Sequence, residues 1–285
     1  MKYGFVDDNK EFYAVKALCA ALKVSRRGYY NWVNRADSVS TVENQYLLSE
    51  IKQIFHQHKA VYGAPRIHRE LIARGFSCGL NRVARMMNKA GIVPKTIRKF
   101  RITTDSRNST QPAHNILAQN FSTQGCNEKW VADVTYIPTH EGWLFLAVVL
   151  DLFSRKIVGW SMGDSLTSDL AQQALRNALK QRGNVTGLLH HSDRGREYYA
   201  AAYQKLLIEN GITSSMSRKG NCYDNAVMES FFHSLKVEQV HHDVYITRNK
   251  ARAALFEYIE MFYNRVRRHS SIEYMSPVAF EAKCA

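Results

Sequence analysis

Between residues 130 and 240 short apolar runs alternate with amphipathic helical stretches, and this rhythm predicts the chain's largest domain. Trp130 to Pro138 alternates apolar and polar side chains, the period-two signature of a half-buried strand. Trp143 to Leu152 is nearly continuous apolar sequence, as a strand covered on both faces would be. Lys156 to Met162 reads as a third strand. Only Phe153-Ser154-Arg155 separates it from the second, so an antiparallel meander is expected. A helix is predicted from Ser168, taken as its N-cap, to Arg182. Ala171, Ala174, Leu175 and Ala178 form its i, i+3, i+4, i+7 stripe. Leu188 to His191 is a fourth strand, a helix over about 200–210 stops at Gly211, and Thr213 to Ser217 is a fifth strand. A loop, Arg218 to Tyr223, then leads to a helix from Asn225. The order βββαβαβα predicts an α/β fold with a five-stranded mixed sheet.

Upstream the periodicity is helical. Residues 10–35 read as two short helices around Lys23-Val24-Ser25, which fits a helix-turn-helix and a plain helical hairpin equally. A helix is expected over 43–58. Pro65 suits the first turn of the next one, over 65–73, which ends at Gly75. Another, over 80–90, stops at Gly91, with Leu80, Val83, Met87 and Ala90 on its apolar side and Arg82, Arg85 and Lys89 elsewhere. Residues 95–125 lose apolar period and read as a flexible, positively charged linker. The expected organisation is an N-terminal helical segment (1–58), a basic helix-turn-helix-like domain (59–94), the linker (95–125), the α/β core (126–240), and a C-terminal helix with a basic tail (241–285).

Charge sharpens this division. The chain carries a net +14, and residues 61–110 account for +9 of it, with eleven basic residues against Glu70 and Asp105. Residues 126–240 hold twelve of each sign and net zero. A polyanion grip is therefore expected upstream of the α/β segment, through residues such as Arg66, Arg69, Arg82 and Arg85. Five scattered cysteines without a C-x-x-C pair suggest neither a disulfide framework nor a thiolate zinc site. His56, His58, His68 and Cys78 lack usable ligand spacing, so no zinc is expected. No apolar run is long enough to cross a bilayer and Met1 to Lys10 does not read as a signal peptide, so a cytoplasmic protein without a membrane partner is expected.

Three acids stand out. Asp133 interrupts Val131-Ala132-Asp133-Val134-Thr135-Tyr136, Asp193 lies just past the fourth strand, and Glu229 sits on the last core helix. On that helix Met228, Phe231, Phe232 and Leu235 form an apolar stripe, while Asn225, Glu229, His233 and Lys236 form a polar face. Each acid alone could be a cap, a surface charge or an ion-pair partner. Converging, they would suit Mg²⁺ or Mn²⁺, which take oxygen ligands and can assist phosphodiester displacement as a pair. Without metal, three such carboxylates would repel.

The acids lie within a series of ordered motifs: Tyr62-Gly63…Arg66-Ile67, Trp130…Asp133-Val134-Thr135-Tyr136, Asp151…Phe153-Ser154-Arg155-Lys156-Ile157-Val158-Gly159-Trp160, His191-Ser192-Asp193-Arg194-Gly195…Tyr198, Ser217-Arg218-Lys219-Gly220-Asn221-Cys222-Tyr223-Asp224-Asn225-Ala226…Glu229-Ser230-Phe231-Phe232, and Tyr263-Asn264…Arg267-Arg268-His269-Ser270…Ser276-Pro277. Together these resemble the DDE transposases of bacterial insertion sequences (the orfB type), with a retroviral-integrase-like core, from about residue 60 onward.

The resemblance implies an RNase H-like core preceded by a small helical DNA-binding domain, with Asp133, Asp193 and Glu229 holding two Mg²⁺ (or Mn²⁺) ions. It implies hydrolysis at the element end, attack of the freed 3′-OH on target DNA, and assembly as a homo-oligomer on double-stranded DNA. An upstream-frame helix-turn-helix protein or fusion segment is a further implied partner. Lys236 resembles the family's basic residue near the terminal DNA, and Arg218 and Lys219 are placed to contact phosphate. Asp224 is expected to cap the last core helix, Asp151 to be structural, and His190 and His191 to be hydrogen-bonded near-core histidines. Arg265, Arg267, Arg268 and His269 are candidates for DNA contact or for a solvated cluster. The Arg196-Glu197 pair departs from the small or amide residues relatives often carry there. A structure-specific nuclease on the same fold, a non-enzymatic DNA-binding regulator and a tyrosine recombinase are the competing readings; the last would leave the acids idle.

Overall fold

The computed structural model describes residues 2–95, 113–218 and 222–285. The chain divides into two compact units at Ile54/Phe55. The first contains α1 (Lys2–Asn9), α2 (Val15–Ala21) and α3 (Arg26–Val33). The helix α1 was not foreseen, because its polar sequence buries only Val6. Val6, Cys19 and Tyr29 make a small core to which Tyr3, Val15 and Leu18 add cover. Ser25 caps α3 by accepting from Gly28 N (3.2 Å), and this closes the turn read at Lys23-Val24-Ser25. The long helix α4 (Val39–Gln57) runs across the division.

The second unit begins with two short helices, α5 (Ala64–Ala73) and α6 (Leu80–Lys89). Pro65 stands in the first turn of α5. Ile67, Leu71, Val83 and Met87 are buried, whereas Arg69, Arg85 and Lys89 stay exposed. Gly75 reverses the chain after α5 at φ +86, a left-handed conformation that glycine adopts at no steric cost.

Five strands follow: β1 (Lys129–Thr139), β2 (Gly142–Asp151), β3 (Ile157–Gly163), β4 (Leu189–Ser192) and β5 (Thr213–Met216). They form one sheet in the order β3-β2-β1-β4-β5. The expected meander is present, since β1 with β2 and β2 with β3 are antiparallel. Strands β4 and β5 join parallel to the other edge of β1, which makes the sheet mixed. This is the order of an RNase H-like core. Helix α7 (Ser168–Arg182) connects β3 to β4, and α8 (Arg196–Tyr199) and α9 (Ala201–Glu209) connect β4 to β5. The stripe Ala171, Ala174, Leu175 and Ala178 is buried against Ala132, Ala147, Val149 and Val158. The N-cap of α7 is Thr167, not Ser168: its side chain accepts from Leu170 N, three residues on, which is the geometry a cap requires.

Helix α10 (Ala226–Glu238) packs beside β1, and α11 (Arg248–Phe256) crosses β2 and β1. A π-helical stretch, Glu257–Tyr263, continues α11, and α12 (Pro277–Cys284) closes the chain. Asn264 then completes the sheet edge. Its amide accepts from Ile157 N (2.9 Å) and donates to Ile157 O (3.0 Å), satisfying backbone groups an edge strand would otherwise expose. Two expectations need revision. The C-terminal segment is no basic tail, because Arg267 is 4% exposed and Arg268 is paired with Glu70. Residues 113–122 are not free linker: Leu117 is buried, and Ile116 N and Leu117 N both donate to Ser215 Oγ on β5. Residues 96–112, with Arg98, Lys99, Arg101 and Arg107, lie outside the described residues.

Gly159 sets the distance between sheet and helix. A Cβ there would come 2.3 Å from Ala174 O and 2.6 Å from Ala178 N, both backbone atoms of α7. Gly159→Ala must therefore push α7 off β3. A loss of about 1–3 kcal/mol is expected from such overpacking. Chemical denaturation of the full chain checks it, and an unchanged midpoint would contradict the packing described.

Candidate active site

The parallel pairing of β1 with β4 places Ala132 opposite Ser192. The next residues along are Asp133 and Asp193, so two carboxylates leave neighbouring strands at adjacent positions. Strands in a sheet lie ~4.8 Å apart. Trp130 and Ala132 join the core under α7, and Asp133 alternates with them onto the sheet's other side. Helix α10 packs against this same strand. Asn225, at the N-cap of α10, donates its side-chain amide to Ala132 O (3.3 Å) and ties the helix start to β1 beside Asp133. The stripe Met228, Phe231, Phe232 and Leu235 is buried, and Glu229 borders it half-buried, as the helical period requires.

Asp133 and Asp193 each accept one backbone N–H, from Val134 (2.7 Å) and Gly195 (2.9 Å). Burial pushes the Asp133 carboxyl well above the usual carboxylate range, and the charges of Asp193, Glu197 and Glu229 push it further. Burial raises Asp193 and Glu229 as well. The Lys236 ammonium lies 5.1 Å from the centre of the Tyr136 ring. Burial lowers its pKa, and the charge of Asp133 works against that lowering.

Glu197 is the acid that sequence reading left unassigned. The chain turns at Gly195 into the single turn of α8, which brings Glu197 back toward Asp193. The carboxyl is 8% exposed and folds over Gly195, where a Cβ would meet its Oε1 at 2.5 Å. Burial raises its pKa and Asp193 adds to the shift. The i, i+4 spacing from Asp193 across a glycine was the signal available for it.

The remaining residues fall into place around this cluster. Asp224 is not the cap of α10; it is fully buried in the preceding turn. It accepts from Arg218 N (2.9 Å), Asn115 Nδ2 (2.9 Å) and Gln119 Nε2 (3.1 Å) and so pins residues 115–119 to the approach of α10. Burial would raise its pKa, but hydrogen bonds from Arg218 and Gln119 hold it down to about 2. The Arg218 side chain is exposed and pairs with Asp224 at 3.2 Å. Lys219 and Gly220 lie outside the described residues. His190 bonds Tyr203 Oη (3.0 Å), and His191 bonds Ser215 and Ser217 (2.9 and 3.1 Å). Burial lowers their pKa values to about 3 and about 4, so both imidazoles are neutral parts of the core.

On α5, Arg66 turns inward, donating through Nε to Arg268 O (3.0 Å), while the exposed Arg69 guanidinium lies 5.1 Å from the Tyr274 ring centre. On α6, Arg85 is exposed and Arg82 half-buried.

The three acids do not bring one oxygen each within 4.8 Å of one another; among the described residues the group that does so is Cys126, Asp151 and Glu281. Its charges are already balanced. Asp151 accepts from Asn127 N and Phe153 N, both at 2.8 Å, and lies 3.7 Å from Arg182. Glu281 accepts from Ser154 Oγ (2.7 Å), Lys156 Nζ (3.0 Å) and Arg182. Burial first, and the two acids after it, raise the Cys126 thiol to about 11. This is an ion-pair latch fastening α12 to the core, consistent with Asp151 being structural.

The sequence matches an HTH-like domain over residues 42–100 and integrase core domains over residues 124–222 and 229–284. It is 43% identical over 285 residues to the transposase InsF for insertion sequence IS3A of Escherichia coli (strain K12), covering 99% of each chain. It is also 43% identical to the insertion element IS600 uncharacterized 31 kDa protein of Shigella sonnei, covering 93% of this chain and 98% of that one. Among solved structures, the HTLV-2 integrase catalytic core domain in complex with magnesium (trimeric form) aligns at 16% identity and a TM-score of 0.42, over 55% of this chain and 97% of that chain. The chain therefore belongs to the insertion-sequence transposases of the IS3 type, which carry an HTH-like domain and an integrase core.

Proposed function

We propose that this transposase is a polynucleotidyl transferase that cuts a phosphodiester at the ends of its element and joins the freed 3′-OH to target DNA. Asp133, Asp193 and Glu229 are the residues that carry the reaction. The observation behind this reading is that Asp133 and Asp193 leave adjacent parallel strands at neighbouring positions and that the charge of Glu229 is felt at Asp133. Of the three, Asp133 attracts the Lys236 ammonium. Burial raises all three carboxyls, and at Asp133 the charges of the neighbouring acids add to it, so the cluster is held at a cost to folding.

Such a donor set, all oxygen and rich in negative charge, fits Mg²⁺ or Mn²⁺. Two ions held by Asp133, Asp193 and Glu229 would supply charge neutralisation for an in-line displacement and an activated oxygen nucleophile. The chain's own part is orientation. The strand register fixes the two aspartates, and α10 carries Glu229 alongside β1. Lys236, two turns further along α10, is placed to hold a DNA phosphate near the reacting end. Arg218 and the exposed basic side chains of α5 and α6, Arg69 and Arg85 among them, offer further phosphate contacts; Arg82 and Lys219 belong to the same proposal. Cutting two element ends together requires at least two copies on double-stranded DNA, and an upstream-frame helix-turn-helix segment would supply end recognition. Action on chromosomal DNA would place the protein at the nucleoid. Among the described residues no helix is long and apolar enough to cross a membrane.

Labelled element-end oligonucleotides with Mg²⁺ test the reaction. Glu229→Gln is expected to lower both cleavage and strand joining by about 10²–10³-fold, the scale on which a group stabilising developing charge is felt. Strand joining at the wild-type rate in this variant would sink the assignment.

A second expectation concerns stability. The folded-state pKa of Asp133 lies above its ordinary value of 3.8, so the charged form opposes folding. The penalty is absent below that value, grows as pH rises through the folded pKa, and is complete above it. Asp133→Asn should therefore raise the melting temperature by a few degrees at pH 7, and the gain should vanish toward pH 3.8. Mg²⁺ or Mn²⁺ should raise the wild-type melting temperature more than that of the variant. Differential scanning calorimetry reads both effects; a destabilised Asp133→Asn at pH 7 would contradict them.

A further inference from the structure

Two motifs are left unused by the chemistry above: Tyr62-Gly63…Arg66 and Tyr263-Asn264…Arg267-Arg268-His269. Both converge on the back of α10. Glu238 follows Glu229 by nine residues, which at ~100° per residue places it on the opposite side of the helix. It is 7% exposed. Its carboxylate accepts from Arg267 Nε (2.7 Å) and Nη2 (2.6 Å) and from Tyr258 Oη (2.8 Å). Arg267 also donates to Ser234 Oγ (3.2 Å), one helical turn before Glu238. One buried guanidinium thus grips two positions a turn apart, which fixes both rotation and slide of α10. Phe231, on the same helix, meets the Tyr263 ring edge-on at 4.8 Å.

The segment presenting Arg267 is itself held by α5 and the residues before it. Tyr62 Oη accepts from Arg268 N (2.8 Å) and donates to Val266 O (3.2 Å), so one hydroxyl brackets Arg267 on both sides. The Tyr62 ring is fully buried and stacks on His58 at 4.0 Å. Arg66 Nε donates to Arg268 O (3.0 Å), and its Nη1 lies 3.9 Å from Glu238. Arg268 Nε returns to Glu70 on α5 (2.6 Å). The polar groups that bind α5 to residues 266–268 and those that bind residue 267 to α10 form one continuous chain.

We propose that Glu238 and Arg267 are positioning residues for Glu229, and that Tyr62 and Arg66 couple the basic α5–α6 element to the catalytic helix through them. The proposal rests on the reading of Glu229 as a metal ligand. Its physical content is that a buried pair with all its hydrogen bonds made has one geometry. Arg267→Lys keeps a charge but loses the fork that spans Ser234 and Glu238. Tyr62→Phe removes only the bracketing hydroxyl. Each would let α10 rotate, and Glu229 would drift from Asp133 and Asp193.

The test uses the full chain. Mn²⁺ binding is followed by electron paramagnetic resonance without DNA, and cleavage of an element-end duplex is followed at varied DNA concentration. Arg267→Lys is expected to bind Mn²⁺ roughly tenfold more weakly, the low end of what losing support behind a metal ligand costs. Its kcat should fall while KM for DNA stays within about twofold, since the lost interaction acts on the reacting centre. Tyr62→Phe should shift both readouts in the same direction by less. Val6→Ala, destabilised in the separate small core of α1, α2 and α3, should leave Mn²⁺ affinity at the wild-type value. Wild-type Mn²⁺ affinity in folded Arg267→Lys and Tyr62→Phe would overturn the proposal, as would an equal loss in Val6→Ala. Should Arg267→Lys fail to fold, Tyr62→Phe alone decides. Glu229→Gln separates the two levels. If it still joins strands, the reading of the site fails; if it is inactive while Arg267→Lys and Tyr62→Phe are normal, only the positioning fails.

Discussion

Parallel pairing of β1 with β4 in the register Ala132 opposite Ser192 is the constraint on which the site depends. Side chains alternate along a strand, so a slip of one residue would send Asp133 or Asp193 to the opposite face of the sheet. The register is secured by burial. Trp130 and Ala132 on one face pack beneath α7, and a slip would trade them for Val131 and Asp133. A parallel pair also needs a crossover long enough to return the chain, and α7 supplies it. Gly159 lets α7 approach the sheet closely enough to bury its alanine stripe. The position of two acids is thus set by apolar packing on the face away from them.

The third acid arrives by other means. Glu229 stands on a helix, and a helix can rotate and slide where a hydrogen-bonded strand cannot. The apolar stripe of α10 fixes its orientation only coarsely. Asn225 anchors its start to β1, and Glu238 with Arg267 anchors its end. A buried ion pair is weak evidence for stability, because desolvation offsets much of its attraction. Its value here lies in geometry. The core's net charge of zero also takes on meaning: some of its acids and bases are committed to internal pairs such as Arg182 with Asp151 and Arg218 with Asp224, and the acids of the site stand apart from these.

Much of this was legible in the sequence. All five strands, their mixed arrangement and the buried stripes of α7 and α10 followed from periodicity, because a one-sided core imposes it. Asp133 was conspicuous as an acid inside an apolar strand. What stayed hidden depended on contacts distant in the chain. Arg267 reads as part of a basic tail until Glu238, twenty-nine residues away, is seen beside it. Asp224 reads as a cap, since nothing local reveals that Asn115 and Gln119 occupy its oxygens. Arg66 reads as a DNA contact, and its partner lies across the chain at Arg268. The helix α1 was missed for the converse reason: its period carries almost no apolar signal, and only Val6 is buried.

Among the described residues two acidic groupings compete for the role of metal centre, and their chemistry separates them. Cys126, Asp151 and Glu281 are close together but already matched by Arg182 and Lys156. Asp133, Asp193 and Glu229 stand further apart, and three carboxylates there face the attraction of Lys236 on Asp133. A divalent ion should prefer the second set, drawing its oxygens together as it binds. A crystal of the protein soaked in Mn²⁺ and measured for anomalous scattering asks this directly. The account predicts anomalous peaks bounded by the carboxylates of Asp133, Asp193 and Glu229; a peak at Cys126, Asp151 and Glu281, with none at the other set, would contradict it.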